Sequence, residues 1–204
     1  YLTLNIWHGG KLFDNVVDFI IKENPDVLAL QEVQETSGKT GKKQFKTYSL
    51  LKKLLPYKYS FFDPIFSFYQ NGLKIDHGNA IYSRYPIKNH TVYFFDLKYA
   101  VVDWDSAHKL NRFEHFPRNM QWVQLEMNNN LLNIFNLHGI WGKDGKDNPR
   151  RLKMGNIIID KVKNKEKVIL SGDFNMNPNT KTIHNIEKVL KNVFKKSIKS
   201  TFNT

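Results

Sequence analysis

The chain holds 204 residues with a formal net charge of +12 and no cysteine, which excludes a disulfide framework and a thiolate metal centre. Hydrophobic residues at 41% and charged residues at 25% describe a globular chain with one sizeable core, not a disordered one. No apolar run approaches the ~20 residues of a membrane span. The start YLTLNIWHGG does not read as a signal peptide, and with the lack of cysteine this favours a cytoplasmic location. The surplus charge is uneven: residues 150–204 carry 13 Lys+Arg against 4 Asp+Glu, and residues 1–149 carry 18 against 15. A basic C-terminal third attracts phosphate-rich partners, although abundant Lys and Asn with only five Arg is also what an AT-rich genome encodes.

LTLNIW (2–7) alternates apolar and polar residues, which predicts a strand. DNVVDFIIKEN (14–24) places Val16, Val17, Phe19, Ile20 and Ile21 at helical spacing behind Asp14 as a cap, and PDVLALQEV (25–33) follows as a second strand. Strand, helix and strand with short connections predict an α/β arrangement. TSGKTGKK (36–43) lacks the P-loop spacing and reads as a solvated loop. A short helix at 48–55 and a strand at 57–62 come next, with DPIFSFYQNG (63–72) as core strand and loop. GNAIYSR (78–84) and NHTVYFFDL (89–97) predict consecutive strands. NMQWVQLEM (119–127) and LLNIFNLHG (131–139) flank an Asn run, a hairpin signature. After a polar loop at 142–149, an amphipathic helix over 149–164 turns Leu152, Ile158, Ile159 and Val162 inward. KVILSGDFNMNPNT (167–180) is a short buried strand running into polar residues and a turn, and a Lys-rich helix over 180–196 closes the sequence. No repeat or linker interrupts residues 1–204, which predicts one domain.

Four strand ends deliver polar side chains out of apolar runs: Asn5, Glu32, His138, and Asp173 with Asn175. One such residue is ordinary at the end of a sheet. Four together imply a shared cleft, because a buried ionisable group without partners is costly. Glu32 and Asp173 suit a hard divalent cation, which takes carboxylate, water and phosphate oxygens, with Asn5 and Asn175 as amide partners. His138 suits a phosphoryl oxygen. Neither HExxH nor GxSxG occurs, so a zinc peptidase and a serine hydrolase elbow are both unsupported. Trp7 and Tyr82 read as core or cleft wall, and His77 as an exposed loop residue.

In order along residues 1–180, LTLNIW, PDVLALQEV, GNAIYSRYPI, LLNIFNLHG and ILSGDFN resemble the motifs of the endonuclease/exonuclease/phosphatase superfamily, LQEV and GDFN being the most specific pair. The resemblance implies a four-layered α/β sandwich: two packed, mainly antiparallel sheets flanked by helices, with the site at one end of the strands. By position it implies metal binding by Glu32 with Asn5, and orientation of water with transition-state stabilisation by Asp173 and Asn175. It implies phosphoryl contact by His138, where Gly139 replaces the usual Leu, and a substrate-phosphate contact by Arg118, whose alternative is a surface salt-bridge arginine. Gly78 and Asn79 would be structural. The implied cofactor is Mg2+, with Mn2+ as a substitute. The implied activity is hydrolysis of a phosphate ester by a phosphodiesterase or nuclease, nucleic acid being one candidate partner. The alternative is a weakened or inactive anion- or nucleic-acid-binding module of the same fold. The family's closing Ser-Asp-His has no counterpart in SIKSTFNT (197–204), and His184 is no substitute, so the resemblance implies a sequence that ends short of the family's C-terminal segment.

Overall fold

The structure, a computed structural model, describes residues 1–194. In chain order it contains β1 (Leu2–Asn5), α1 (Phe13–Glu23), β2 (Val27–Glu35), α2 (Thr47–Leu54), β3 (Tyr59–Gln70), β4 (Leu73–Ser83) and β5 (Ile87–Phe94). There follow α3 (Trp104–Leu110), β6 (Asn119–Met127), β7 (Asn130–His138), α4 (Pro149–Val162), β8 (Val168–Asp173) and α5 (Lys181–Ile186). The strands form two sheets, ordered β1-β2-β4-β3 and β5-β6-β7-β8. Pairing is antiparallel except for β1 with β2 and β7 with β8.

The period-two alternation along β2 explains the layers. Leu28 and Leu30 face the helices, packing with Ile20 of α1 and Leu51 of α2. Val27 and Ala29 turn the other way and meet Val123 of β6 and Ile134 of β7. On the far side Met154, Ile158 and Val162 of α4 cover Phe135 and Leu137. Helices, sheet, sheet and helices therefore stack as the expected α/β sandwich. Between the sheets runs a polar seam: the buried Asn136 amide donates to the carbonyls of Leu30 (3.0 Å) and Ala80 (3.3 Å) and accepts from Gln31 (2.6 Å). These contacts tie the sheets together while satisfying groups that would otherwise be costly to bury. Among the described residues no helix is long and apolar enough to cross a membrane.

Several elements differ from the sequence expectation. Asp14 does not cap α1: Leu12 stands at the cap, and Asp14 pairs with Lys43 at 2.6 Å. DPIFSFYQ continues β3, which returns as β4 through Asn71-Gly72, both at positive φ, so GNAI lies within a strand and does not begin one. In α4 the buried set is Arg151, Met154, Gly155, Ile158 and Val162, with Leu152 and Ile159 only half-buried. Asn148 caps this helix, accepting from the Arg151 amide, and Pro149 opens it. The final helix ends at Ile186 instead of extending to 196; its expected end and SIKSTFNT lie outside the described residues.

Candidate active site

Glu32 is aimed by a β-bulge. Leu30 pairs with Ala80 and Val33 with Gly78, so Gln31 and Glu32 together oppose Asn79, and Glu32 takes a φ of 63°. A second irregularity, in β3 between Pro64 and Phe66, also falls opposite Gly78. A Cβ at Gly78 would lie 2.1 Å from the Asp63 carbonyl oxygen, so the paired bulges require glycine there.

The chain leaving β1 makes a left-handed turn. Trp7, His8, Gly9 and Gly10 have φ of 55°, 49°, 74° and 73°, and the Lys11 amide closes the turn on the Trp7 carbonyl at 2.9 Å. Left-handed backbone is unfavourable for residues with a Cβ. Here it directs successive amides at polar groups: Trp7 N donates to Asn5 Oδ1 (2.9 Å), His8 N to Glu32 Oε2 (2.6 Å) and Gly9 N to the Glu32 carbonyl (2.8 Å).

Asn5 joins the two carboxylates, its Nδ2 donating to Glu32 Oε1 and to Asp173 Oδ2, each at 3.0 Å. His138 Nε2 lies 4.0 Å from Asp173 Oδ2. The segment after β8 is both site and turn: Asn175 N donates to Asp173 Oδ1 at 2.8 Å, and Asn175, at φ 54°, reaches the Gly139 carbonyl through Nδ2 at 3.0 Å. A Cβ on Gly139 would lie 2.3 Å from the Phe174 carbonyl oxygen, and one on Gly172 would lie 2.0 Å from that of Leu137. The strand ends approach too closely for side chains, which accounts for Gly139 in place of Leu.

The structure thus brings Asn5, Glu32, His138, Asp173 and Asn175 together. Arg118 stands behind them, 5% exposed, within electrostatic reach of Glu32 and Asp173. Burial pushes its guanidinium down to about 10. Among the described residues it forms no ion pair; Nη1 donates to the Pro117 carbonyl at 3.0 Å, and Nε has no partner. Burial alone would raise the Glu32 carboxyl, but His138, the His8 amide and the Asn5 amide outweigh it and hold Glu32 below its ordinary range. His138, 3% exposed, is pushed well below its ordinary value by burial and then by Arg118. Unpartnered buried atoms gather nearby: His138 Nδ1, His8 Nδ1, Gln34 Oε1 and Asn79 Oδ1.

His77 is not an exposed loop residue. It is 2% exposed in β4, stacked on Phe66 at 4.6 Å, with Nδ1 3.2 Å from Gln34 Nε2. Sequence reading also missed α3, which sets Trp104 and His108 against His8. The signal was present: Asp103 precedes the helix and accepts from the Ser106 amide three residues on. Arg151 was missed because basic residues read as surface. Its guanidinium is fully buried and donates to the carbonyls of Ile140, Gly142, Lys146 and Asn175 and to Asp144 Oδ1. It thereby joins the loops that follow His138 and Asp173.

Among the described residues no group of three or more His, Cys, Asp or Glu side chains is arranged to hold a metal ion. The donor set at the strand ends is sparser: two carboxylates bridged by one amide. That composition fits a hard cation that keeps several waters and takes substrate oxygens.

Two packed sheets with helices outside, and polar side chains gathered at one end of the strands, define an α/β sandwich with a candidate site at that end. The model for the Endonuclease/Exonuclease/phosphatase family matches residues 2–193, and the chain belongs to that family, whose members hydrolyse phosphate esters. An endonuclease/exonuclease/phosphatase from Beutenbergia cavernae superposes with a TM-score of 0.66 at 18% identity, over 87% of this chain and 47% of that one. TDP2 from D. rerio, solved with a single-strand DNA product, gives 0.62 at 16% identity, over 93% and 64%. A Bacteroides thetaiotaomicron mannosyl-6-phosphatase gives 0.59 at 18% identity, over 88% and 62%. The chain therefore spans about half to under two-thirds of the length of these structures. No curated protein sequence matches it.

Proposed function

We propose that this chain hydrolyses a phosphate ester, most readily a phosphodiester, with Mg2+ (or Mn2+ as a substitute) held by Glu32 and Asn5. The cation, when bound, polarises a phosphoryl oxygen and neutralises developing charge. Asp173 orients water and takes its proton; its own orientation is fixed through Oδ1 by the Asn175 amide and through Oδ2 by Asn5. His138 and the second N–H of the Asn175 side-chain amide donate to the transition-state oxygens, the electrostatic contribution that most often dominates. Arg118 takes a phosphate oxygen.

The observation that carries this reading is Arg118, a buried cation with no ion-pair partner among the described residues and an unsatisfied Nε. Burying a charge without an anion is costly, and a phosphate in the cleft removes that cost. The test is hydrolysis of bis-(p-nitrophenyl) phosphate with Mg2+ and with EDTA, in this chain and in a C-terminally extended one. Turnover is expected to need the cation and to fall about 100-fold or more in Glu32→Gln and Asp173→Asn. Turnover indifferent to EDTA and to both substitutions, or none in either length, would reject the mechanism.

A further inference from the structure

We infer that the margin where β3 faces β5 holds a second ligand site, for a small organic phosphate monoester, remote from the strand-end cleft and independent of the phosphoesterase reading. A cavity of about 320 Å³ opens there, lined by Lys52 of α2, Lys58, residues 59–61 of β3, and Ile87 and His90 of β5. β3 and β5 are outer strands of their sheets, and the opposite outer strands, β1 and β8, carry Asn5 and Asp173. Ser60 pairs with Tyr82, three residues beyond the Asn79 that the Glu32 bulge opposes. His90 is in register with Val123 and, through it, with Ile134, four residues before His138. Three to four residues of strand span about 10–13 Å, and two strand spacings add about 10 Å across each sheet.

Half-buried aromatic and aliphatic side chains with a few convergent polar groups are the composition of a small-molecule site. Phe61 and Ile87 are half-buried and pack from the margin against Val123 and Ile134, so the cavity opens onto the core between the sheets. The lining is held in place: the Phe61 ring lies 4.3 Å from the His90 imidazole, and the Ser60 hydroxyl meets that of Tyr48 at 2.9 Å. Lys58 Nζ lies 5.6 Å from the Tyr59 ring. Among the described residues neither Lys52 nor Lys58 forms an ion pair. An imidazole donates a hydrogen bond from a ring nitrogen in either protonation state. Two ammonium groups and that donor therefore match a dianionic head with three acceptor oxygens, where a carboxylate would leave one ammonium uncompensated. Phe61 and Ile87 match an apolar body on the ester oxygen. Asp63, within electrostatic reach of His90, does not line the cavity; its Oδ2 accepts from Asn119 Nδ2 at 3.4 Å.

The test is nuclear magnetic resonance titration of the isotope-labelled chain without divalent cations, where turnover does not interfere, with phenyl phosphate, inorganic phosphate and benzoate as probes. Phenyl phosphate is expected to move the amide signals of residues 58–61 and 87–90. It is expected to bind there about tenfold more tightly than inorganic phosphate, as burial of roughly 60 Å² of ring provides. Benzoate, with one charge fewer, is expected to bind about tenfold more weakly than phenyl phosphate. Lys52→Ala and Lys58→Ala are each expected to weaken phenyl phosphate at these signals about fivefold or more. Lys53→Ala removes the same charge from an exposed position outside the lining and should leave that affinity unchanged. Signals that move only at the strand ends, or with no probe, would overturn the proposal. So would inorganic phosphate or benzoate binding as tightly as phenyl phosphate, or Lys53→Ala weakening it as much as Lys58→Ala.

Discussion

Arg151→Met removes the guanidinium that joins the loops following His138 and Asp173. Five donor contacts are lost, and they are not equivalent. The carbonyls of Gly142 and Lys146 and the Asp144 carboxylate lie where water can replace the arginine, and the Asp144 side chain is 62% exposed. The Ile140 carbonyl belongs to a residue 1% exposed, and the bond to the Asn175 carbonyl is part-buried. Each of these two, left without a donor, costs about 1–3 kcal/mol. Losing a buried charge offsets part of that, because the guanidinium no longer has to be desolvated. The net expectation is a destabilisation of about 3 kcal/mol, or about 6–12 °C in Tm for a chain of this size.

Activity should fall further than stability requires. The Asn175 carbonyl is fixed by Arg151, and the same residue orients Asp173 through its amide. Misplacement there should lower kcat while KM for a small phosphodiester changes little. Arg151→Lys, one ammonium facing acceptors spread over two loops, should recover part of the stability and little of the kcat. The assay pairs thermal unfolding with steady-state kinetics at a temperature where all variants are folded. A Tm shift below 2 °C, or kcat and KM unchanged in a folded variant, would refute the reasoning. Asp144→Ala serves as the contrast and should leave Tm nearly unchanged.

Gly139→Ala would place a Cβ 2.3 Å from the Phe174 carbonyl oxygen. Relief takes about 1 Å of movement between Asp173 and Asn175, so kcat should fall by about 100-fold, and a variant with undiminished kcat would refute the close approach. Acid should destabilise the protein below about pH 6.5, the ordinary His value. Burial first, and then the charge of Arg118, hold His77 and His138 well below that value, so the unfolded chain binds more protons as pH falls. The stability they contribute is complete above the unfolded pKa and is lost through the acid limb. In urea unfolding from pH 7.5 to 5, His77→Phe should show a shallower acid limb; a limb parallel to that of the unsubstituted chain would reject the assignment. Asn136→Leu removes the amide that bridges Leu30 and Ala80 and should lower Tm without altering KM; a change in KM with Tm intact would contradict its placement between the sheets.

The sheets were legible because short apolar runs such as VLAL and LLNIF, bounded by turn residues, read as buried strands, and β2 and most of β7 are buried on both faces. The residue types of the candidate site were legible too, since Asn5, His138 and Asp173 end apolar runs where strands stop; Glu32, expected at a strand end, lies at a bulge within β2, which runs on to Glu35. Their aim was not. Glu32 reaches the cleft because Gln31 and Glu32 together oppose one residue of β4, a property of strand pairing with no trace in a single strand's pattern. His77 followed polar residues and read as loop, yet the long hairpin of β3 and β4 buries it. In α4 the spacing selected Leu152 and Ile159 because both are apolar. The buried position belongs to Arg151, whose acceptors come from loops distant in the sequence.

These failures share a physical origin. Periodicity describes residues in regular backbone, and the site is built where regularity stops. Trp7, His8, Glu32 and Asn175 all take positive φ, and Gly139 and Gly172 allow backbone contacts that no other residue permits. Each non-glycine residue held there costs about 1–2 kcal/mol. The regular parts of the two sheets, with their apolar layers on both faces, supply the surplus stability that tolerates this. A sequence reading that relies on local consistency is therefore strongest in the layers, and it weakens at the strand ends where the polar groups must point at one another rather than alternate.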